Sequence, residues 1–400
     1  MRRPTRINVT ALLAALVVGS LGLVPGEAFS QQPTSTEDPS SKKTEGWSPD
    51  TVLASPSALE RIKLPVKAKG IYITGRTVSN SKFSRLLKLV NETELNAMVI
   101  DIKEDEGRLT YQSAIPLVKE IKSDQTKFIP DLDDVMHTLQ ANNVYTIARV
   151  VCFKDPLLAR KMPEWAMQKK TGGIWVDRKG VAWIDPYRKE VWEYNVAIAK
   201  EAAKKGFREI QFDYVRFPDN GKRVDEEVNF YQQEGIAKDM LIAEFLAYAK
   251  KELEPYHVYV SADVFGLVPS VPDDMGIGQK WDLVSPTVDY LSPMMYPSHY
   301  ANGTYGLRVP DAQPYETIFH SLQDAQRKDA RLQKRRATPA TIRPWYQDFT
   351  ARWVKGHIVY GPREVTAQIK AGRALGVDQY LIWDASNTYS EAAWKKENEQ

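Results

Sequence analysis

From Lys69 onward, short β-rich runs alternate with amphipathic stretches along the chain. The runs are Gly70 to Thr74, Ala97 to Ile102, Val144 to Val151, Glu209 to Val215, His257 to Val264, Val288 to Met295, Ala337 to Ile342 and Gln379 to Trp383. Helical periodicity follows at Phe83 to Val90, Leu132 to Leu139, Lys189 to Lys205, a long stretch ending near Leu253, Tyr315 to about Leu332, and Pro362 to Leu375. The segment after the fifth run is less regular, and a short tail helix is expected near Glu391. Strands that alternate with helices form βαβ units and pair in parallel. Eight such units over roughly 330 residues match a (β/α)8 TIM barrel with insertions. The predicted fold class is therefore α/β: one barrel domain over 67–392, with a long insertion after strand 3 and a C-terminal tail over 393–400. A doubly wound open sheet is the main rival. It would carry a Gly-rich phosphate turn after an early strand, and no G-x-G-x-x-G occurs.

The pattern ahead of Lys69 is of another kind. Arg2, Arg3 and Arg6 precede an apolar run from Val9 to Val24, which ends at Pro25-Gly26 and is followed by Ala28-Phe29-Ser30. This is the layout of a secretory signal, predicted over 1–30 with cleavage after Ser30; an uncleaved anchor is the alternative. Residues 31–66 are rich in Ser, Thr, Pro, Lys and Glu and read as a flexible linker. The expected location is outside the cytoplasm: secreted, periplasmic or cell-envelope associated, with a possible transient membrane tether through the N-terminus. Oligomeric state is not legible.

Barrel active sites lie at the C-terminal ends of the strands. Four aspartates end predicted strands: Asp101 the second, Asp213 the fourth, Asp263 the fifth and Asp384 the eighth. Side chains alternate faces with period two. Gln211 and Asp213 oppose the apolar face of Ile210, Phe212 and Tyr214; Tyr259, Ser261 and Asp263 oppose Val258, Val260 and Ala262. Val99, Asp101 and Lys103 oppose Met98, Ile100 and Ile102. Asp101, Asp213 and Asp263 thus point to the barrel axis by one rule, whereas the face of Asp384 is ambiguous. Asp213 and Asp263 fall on neighbouring strands, about 4.8 Å apart in backbone spacing. That allows carboxyl separations from about 5.5 Å, suited to a retaining glycosidase, to about 6.5–9.5 Å, suited to an inverting one. Such proximity raises one pKa and supplies an acid together with a base or nucleophile. The bland reading is that these carboxylates cap helices or pair with arginines. Arg216 could orient Asp213 or bind a polar substrate, or make a surface ion pair. Lys103, Glu104 and Asp105 could form only a solvated loop.

Composition narrows the chemistry. Basic and acidic residues number 54 and 51, for a net charge of +3, too balanced for a dedicated nucleic-acid binder. The single Cys152 excludes an intramolecular disulfide and a Cys-based metal or iron–sulfur site, and fits an oxidising compartment in which no disulfide framework is used. The five His, at 137, 257, 299, 320 and 357, include neither an H-x-H pair nor H-E-x-x-H, so no metal site is expected. The sixth strand has no Schiff-base lysine, and no G-x-S-x-G elbow is present. What remains is a paired-carboxylate reaction with no cofactor. Aromatic residues crowd the strand-end loops: Trp165, Trp175 and Trp183 in the long insertion, Tyr296 with His299 and Tyr300 after the sixth strand, Trp345 with Tyr346, Gln347 and Asp348 after the seventh, and Trp383 at the end of the eighth. Flat rings beside amide and carboxyl groups suit sugar faces and hydroxyls, although each ring can instead fill core. Trp345 and Trp383 are the leading candidates for a stacking floor.

Four segments in order carry a family resemblance. Ile210-Gln211-Phe212-Asp213-Tyr214-Val215-Arg216-Phe217-Pro218 is similar to the "FDYIRFP" strand of a bacterial glycosyl hydrolase domain family of unassigned function. Ser261 to Gly266, Leu291 to Pro297 and Arg343 to Phe349 resemble its later strands, and Pro163-Glu164-Trp165 with Trp183-Ile184-Asp185-Pro186 its long loop. The resemblance spans about Lys67 to Tyr389. It is similar, more remotely, to amylase- and α-galactosidase-like barrels. It implies a carbohydrate substrate and a nucleophile or base at Asp213. The acid position after the fifth strand is taken by Asp263, where amylase-like barrels often have Glu. The expected function is a glycoside hydrolase acting on a cell-envelope or extracellular polysaccharide, with Asp213 and Asp263 catalytic and Asp101 an electrostatic or substrate-hydroxyl partner. Arg216, Tyr296, His299, Trp345, Gln347, Trp383 and Asp384 are the expected substrate-binding residues. Asp213→Asn is expected to abolish hydrolysis with the thermal midpoint almost unchanged. The alternatives are a non-catalytic glycan-binding protein and an envelope scaffold on the same barrel.

Overall fold

In the computed structural model, which describes residues 65–231 and 235–394, a parallel sheet closes on itself. The expected signal segment, residues 31–64 of the linker and residues 395–400 of the tail lie outside the described residues. Strand β1 (Lys69–Ile73) pairs with β2 (Ala97–Lys103), which pairs with β3 (Tyr145–Val151). The ring continues through β4 (Glu209–Asp213), β5 (Tyr259–Phe265) and β6 (Tyr290–Met294). The seventh strand, β7, runs in two pieces, Thr341–Ile342 and Trp345–Gln347, and β8 (Tyr380–Trp383) returns to β1. The fold is the predicted α/β eight-stranded TIM barrel.

Two of the departures from the expected strand bounds have identifiable reasons. The seventh starts later than Ala337, because Pro339 offers no N–H to a ladder. Its two pieces keep one register against β6, Thr341 opposite Tyr290 and Trp345 opposite Met294, and the gap falls at Pro344, which also lacks a donor. The fourth stops at Asp213 because Tyr214 takes φ 47°, a left-handed conformation that ends the extended run.

The helices follow the predicted pattern: Ser81–Glu92, Leu132–Ala141, Lys189–Lys204, Lys238–Leu253, Pro314–Lys334 and Pro362–Ala374. Asn80 and Asp131 cap the first two, accepting from the Lys82 and Asp134 amides. After β5 the α-helix is reduced to the four residues Trp281–Val284, with 3-10 turns at Val268–Ser270 and Ser285–Thr287. The insertion after β3 is tied to the loop after β4 by a two-stranded antiparallel pairing of Gln168–Lys169 with Val228–Asn229. Packing reaches Trp394, whose buried indole donates to the Tyr380 hydroxyl, two residues past the expected domain end. Among the described residues no helix is long and apolar enough to cross a membrane.

The barrel has two distinct cores. One lies between strands and helices; the other fills the barrel with Ala68, Tyr72, Ala97, Val99, Tyr145, Ile147, Tyr296, Trp345 and Leu381. Below the second sits a fully buried ion pair, Glu209 with Arg343. Tyr145 and Ser261 also donate to Glu209, at 2.9 and 2.5 Å. Charges so deep survive only when paired and hydrogen-bonded. Arg343→Met leaves the Glu209 carboxylate unpaired and is expected to lower unfolding free energy by about 3–5 kcal/mol. The double change Glu209→Gln with Arg343→Met should recover much of that loss in a denaturant melt. A double variant no more stable than Arg343→Met would contradict this account.

Candidate active site

The three aspartates do converge at the C-terminal mouth, and an arginine joins two of them, Asp101 and Asp213. On β3 the inward positions are Tyr145, Ile147 and Arg149, in register with Ala97, Val99 and Asp101 of β2. Arg149 is buried, with a side-chain exposure of 3%. Its Nη1 donates to Asp101 Oδ1 at 2.7 Å, and its Nε and Nη2 donate to Asp213 Oδ2 at 2.9 and 2.6 Å. Nη2 also reaches Asp105 Oδ1 at 2.9 Å, and Lys154 Nζ holds the other oxygen of Asp105 at 3.0 Å. Desolvation works to raise the Asp105 carboxyl, but the Arg149 and Lys154 charges outweigh it and hold it well below the usual range.

Asp213 and Asp263 have unlike surroundings. Both oxygens of Asp213 accept: Oδ2 from Arg149, Oδ1 from the Tyr214 amide at 2.6 Å. The left-handed Tyr214 backbone is what turns that amide back onto the carboxylate. Asp263 has no cation in contact. Its Oδ1 accepts from the Trp345 indole Nε1 at 2.7 Å. Burial pushes the Asp263 carboxyl well above its ordinary range, the Asp213 charge adds to the rise, and the indole hydrogen bond only partly offsets it. Asp101 is raised too, chiefly by burial, against the opposing pull of Arg149 and of the Tyr72 hydroxyl that donates to its Oδ2. A carboxylate held by a guanidinium and a raised carboxyl without a cation can supply a base and an acid from one residue type.

Several expected site residues are placed otherwise than the sequence suggested. Lys103 does not share the axial face with Asp101. A register shift between Asp101 and Lys103 turns it toward the helices, where it pairs with Asp155 at 2.7 Å and Asn195 at 2.9 Å. Nor is the segment after it merely solvated, since Asp105 is bound to Arg149 and Lys154. Arg216 does not orient Asp213. It lies over the rings of Trp183, Tyr214 and Phe265 and donates to the Phe217 carbonyl. Trp345 is buried and presents its edge to Asp263, so it is no open stacking floor. Trp383 remains half-buried and stacks on Tyr72 at 4.0 Å, with Arg149 5.4 Å from its ring. Asp384 accepts from the Ser386 amide and hydroxyl and the Thr388 amide, closing the turn after β8. Gln347 is fully buried; it accepts from the Ser298 amide and donates to Asp311 and the Phe349 carbonyl. Trp175 and Trp183 are core, their indoles bound by Glu227 and Asp177. Tyr296 and His299 do stand at the mouth, their rings 5.2 Å apart.

Sequence reasoning missed Arg149 and Tyr72. The signal was available: both lie at the C-terminal end of a strand with the parity of the aspartates. Among the described residues no group of three or more His, Cys, Asp or Glu is placed to hold a metal ion. A depression lined by Lys67, Gln333, Ala340, Asp378 and Gln379 lies at the opposite, N-terminal end of the strands and contains none of these carboxylates.

With this geometry in place, the chain can be set beside known proteins. Residues 70–389 match the family described as "Putative glycosyl hydrolase domain". No curated protein matches. The chain is similar to a hypothetical protein from Ruminiclostridium thermocellum ATCC 27405, at 41% identity and a TM-score of 0.44, over 52% of this chain and 98% of that one. It is also similar to the glycoside hydrolase domain of PgaB (BpsB) from Bordetella bronchiseptica, at 12% identity and a TM-score of 0.56, over 80% of this chain and 94% of that one. A third likeness is to the endo-1,4-beta-D-mannanase of Thermotoga petrophila RKU-1, at 11% identity and a TM-score of 0.50, over 80% and 88% of the two chains. At such identities the last two likenesses speak for the barrel alone.

Proposed function

The chain belongs to this glycosyl hydrolase domain family, and we propose that it cleaves O-glycosidic bonds in a cell-envelope or extracellular polysaccharide with Asp213 and Asp263 as the working pair. The observation that carries this reading is the contrast between the two carboxyl groups: Asp213 bound by a guanidinium, Asp263 buried beside it with only an indole donor. Asp263, its carboxyl raised by burial, gives its proton to the departing glycosidic oxygen. Asp213, paired with Arg149, faces the oxocarbenium-like centre and serves as nucleophile or as base toward water. Asp101, itself bound by the Tyr72 hydroxyl, accepts from Arg149 on its far side and so helps to hold the guanidinium against Asp213. Export through the N-terminal signal would bring the domain to such a substrate; N-terminal sequencing of the protein recovered outside the cytoplasm checks that part.

The test is a screen of the purified protein against defined polysaccharides and peptidoglycan, measuring new reducing ends, with Asp213→Asn as control. Release by the wild type alone supports the reading. Binding without release on every substrate would favour the second reading, a non-catalytic glycan-binding barrel. One observation speaks for that second reading: both oxygens of Asp213 already accept hydrogen bonds.

The indole contact gives a sharper expectation. Trp345→Phe removes the one hydrogen bond that opposes the upward shift of Asp263. The acid should then keep its proton to higher pH, so the alkaline limb of the rate profile moves up. An unmoved or lowered alkaline limb would remove Asp263 from the role of acid.

A further inference from the structure

A row of aromatic rings leads from the carboxylates to the rim of the barrel. Its inner end is Tyr296, buried after β6, with the charges of Asp263 and Asp213 close enough to bear on its phenol. The Phe349 ring lies 5.7 Å from Tyr296, and Trp353 stacks on Phe349 at 6.1 Å with 19° between planes. His299 fills the angle, 5.2 Å from Tyr296 and 6.4 Å from Trp353. Trp353 is 38% exposed, the one exposed tryptophan among the described residues.

The row is built on a frame. Gln347, buried beneath it, accepts from the Ser298 amide at 3.1 Å and donates to the Phe349 carbonyl at 2.8 Å, which locks the loop after β6 to the loop after β7. The Ser298 hydroxyl fixes His299 through Nδ1 at 2.9 Å. Burial holds the His299 imidazole down at about 4, so the four rings carry no formal charge at neutral pH. A pre-set, uncharged aromatic strip continuous with a carboxylate pair matches the apolar faces of uncharged sugar rings. None of the four rings offers a cation to a uronate or a sulfate.

We propose that the exposed ring of Trp353 and the half-buried ring of Phe349, backed by Tyr296 and His299, form a subsite for uncharged pyranose units of a polysaccharide chain, on the β6–β7 side of the carboxylates. The proposal rests on reading the mouth as a site for glycans. It makes the preferred substrate a long, neutral chain, with Trp353 holding the unit farther from the reacting bond and Gln347 acting as a positioning residue.

The experiment is calorimetric titration of the full protein and of Trp353→Ala with neutral hexasaccharides of the gluco, manno, galacto and N-acetylglucosamine types, the matching disaccharides, and an anionic hexagalacturonate. Trp353 lies at the rim, so its removal leaves the core intact. The expected result is that one neutral hexasaccharide binds best and that Trp353→Ala weakens it about tenfold, the scale of one lost ring stack. The affinity gap between hexa- and disaccharide should shrink by the same factor. Equal hexasaccharide affinity in both proteins, tightest binding of hexagalacturonate, or no binding of any neutral hexasaccharide by the wild type would each overturn the proposal. Binding is read without turnover: a Trp353-dependent affinity with no hydrolysis sinks only the enzymatic reading. Hydrolysis indifferent to Trp353 sinks only the subsite.

Discussion

Asp263→Asn is expected to lower hydrolysis of a natural polysaccharide by about a thousandfold, within the range for loss of a positioned general acid. The loss should depend on the leaving group. An aryl glycoside with an acidic phenol departs without protonation, so on it the same variant should lose far less. Asp213→Asn removes the anion that faces the developing positive charge and should be severe on both substrates. The pH profile separates the roles further. The Asp263 carboxyl is raised by burial and by Asp213, so its proton is kept to higher pH than an ordinary carboxyl keeps it and is lost as pH climbs through that raised value. Wild-type activity therefore falls on the alkaline side, and on the aryl substrate that limb should vanish in Asp263→Asn. Equal losses on both substrates with an unchanged alkaline limb would take the acid role away from Asp263.

The barrel was legible because its evidence is local and repeated. Each strand shows its own alternation or apolar run, each helix its own stripe, and parallel closure follows from their order. Strand parity carried the reading one step further, to Asp101, Asp213 and Asp263 at one mouth. It stopped short where side-chain partners decide the outcome. Lys103 obeyed the parity rule on paper and left the axis because of one bulge. Trp345 read as a sugar platform and is in fact a hydrogen-bond donor to Asp263, since its depth depends on neighbouring strands rather than on its own segment. Arg149 was overlooked because only carboxylates were followed to their strand ends. The same rule applied to Tyr145, Ile147 and Arg149 would have placed a cation among them. That omission also changes the stability expected of Asp213→Asn. With Arg149 buried against it, the variant should melt measurably lower rather than unchanged, because a buried guanidinium loses its double acceptor.

Arg149→Met is expected to have the largest effect on folding of any change at the mouth. It leaves Asp101 and Asp213 buried with no cation between them, at a cost of about 3–5 kcal/mol for breaking such a pair from one side. The loss should depend on pH with a definite sign. The folded-state carboxyl of Asp101 is already raised by burial even with Arg149 in place, and without it the shift can only grow. A carboxyl raised in the folded state contributes stability that is complete below its unfolded pKa and is lost as pH rises through the folded value. Melts should therefore show a modest fall in Tm near pH 5 and a large one near pH 8. Arg149→Lys keeps the charge but cannot donate to Asp101 and to Asp213 in the same fork geometry. It should recover part of the stability and little of the activity. A deficit in Arg149→Met that is the same at both pH values would mean that the carboxylates are not held ionised by this guanidinium. Full activity in Arg149→Lys would mean that its geometry, unlike its charge, is dispensable.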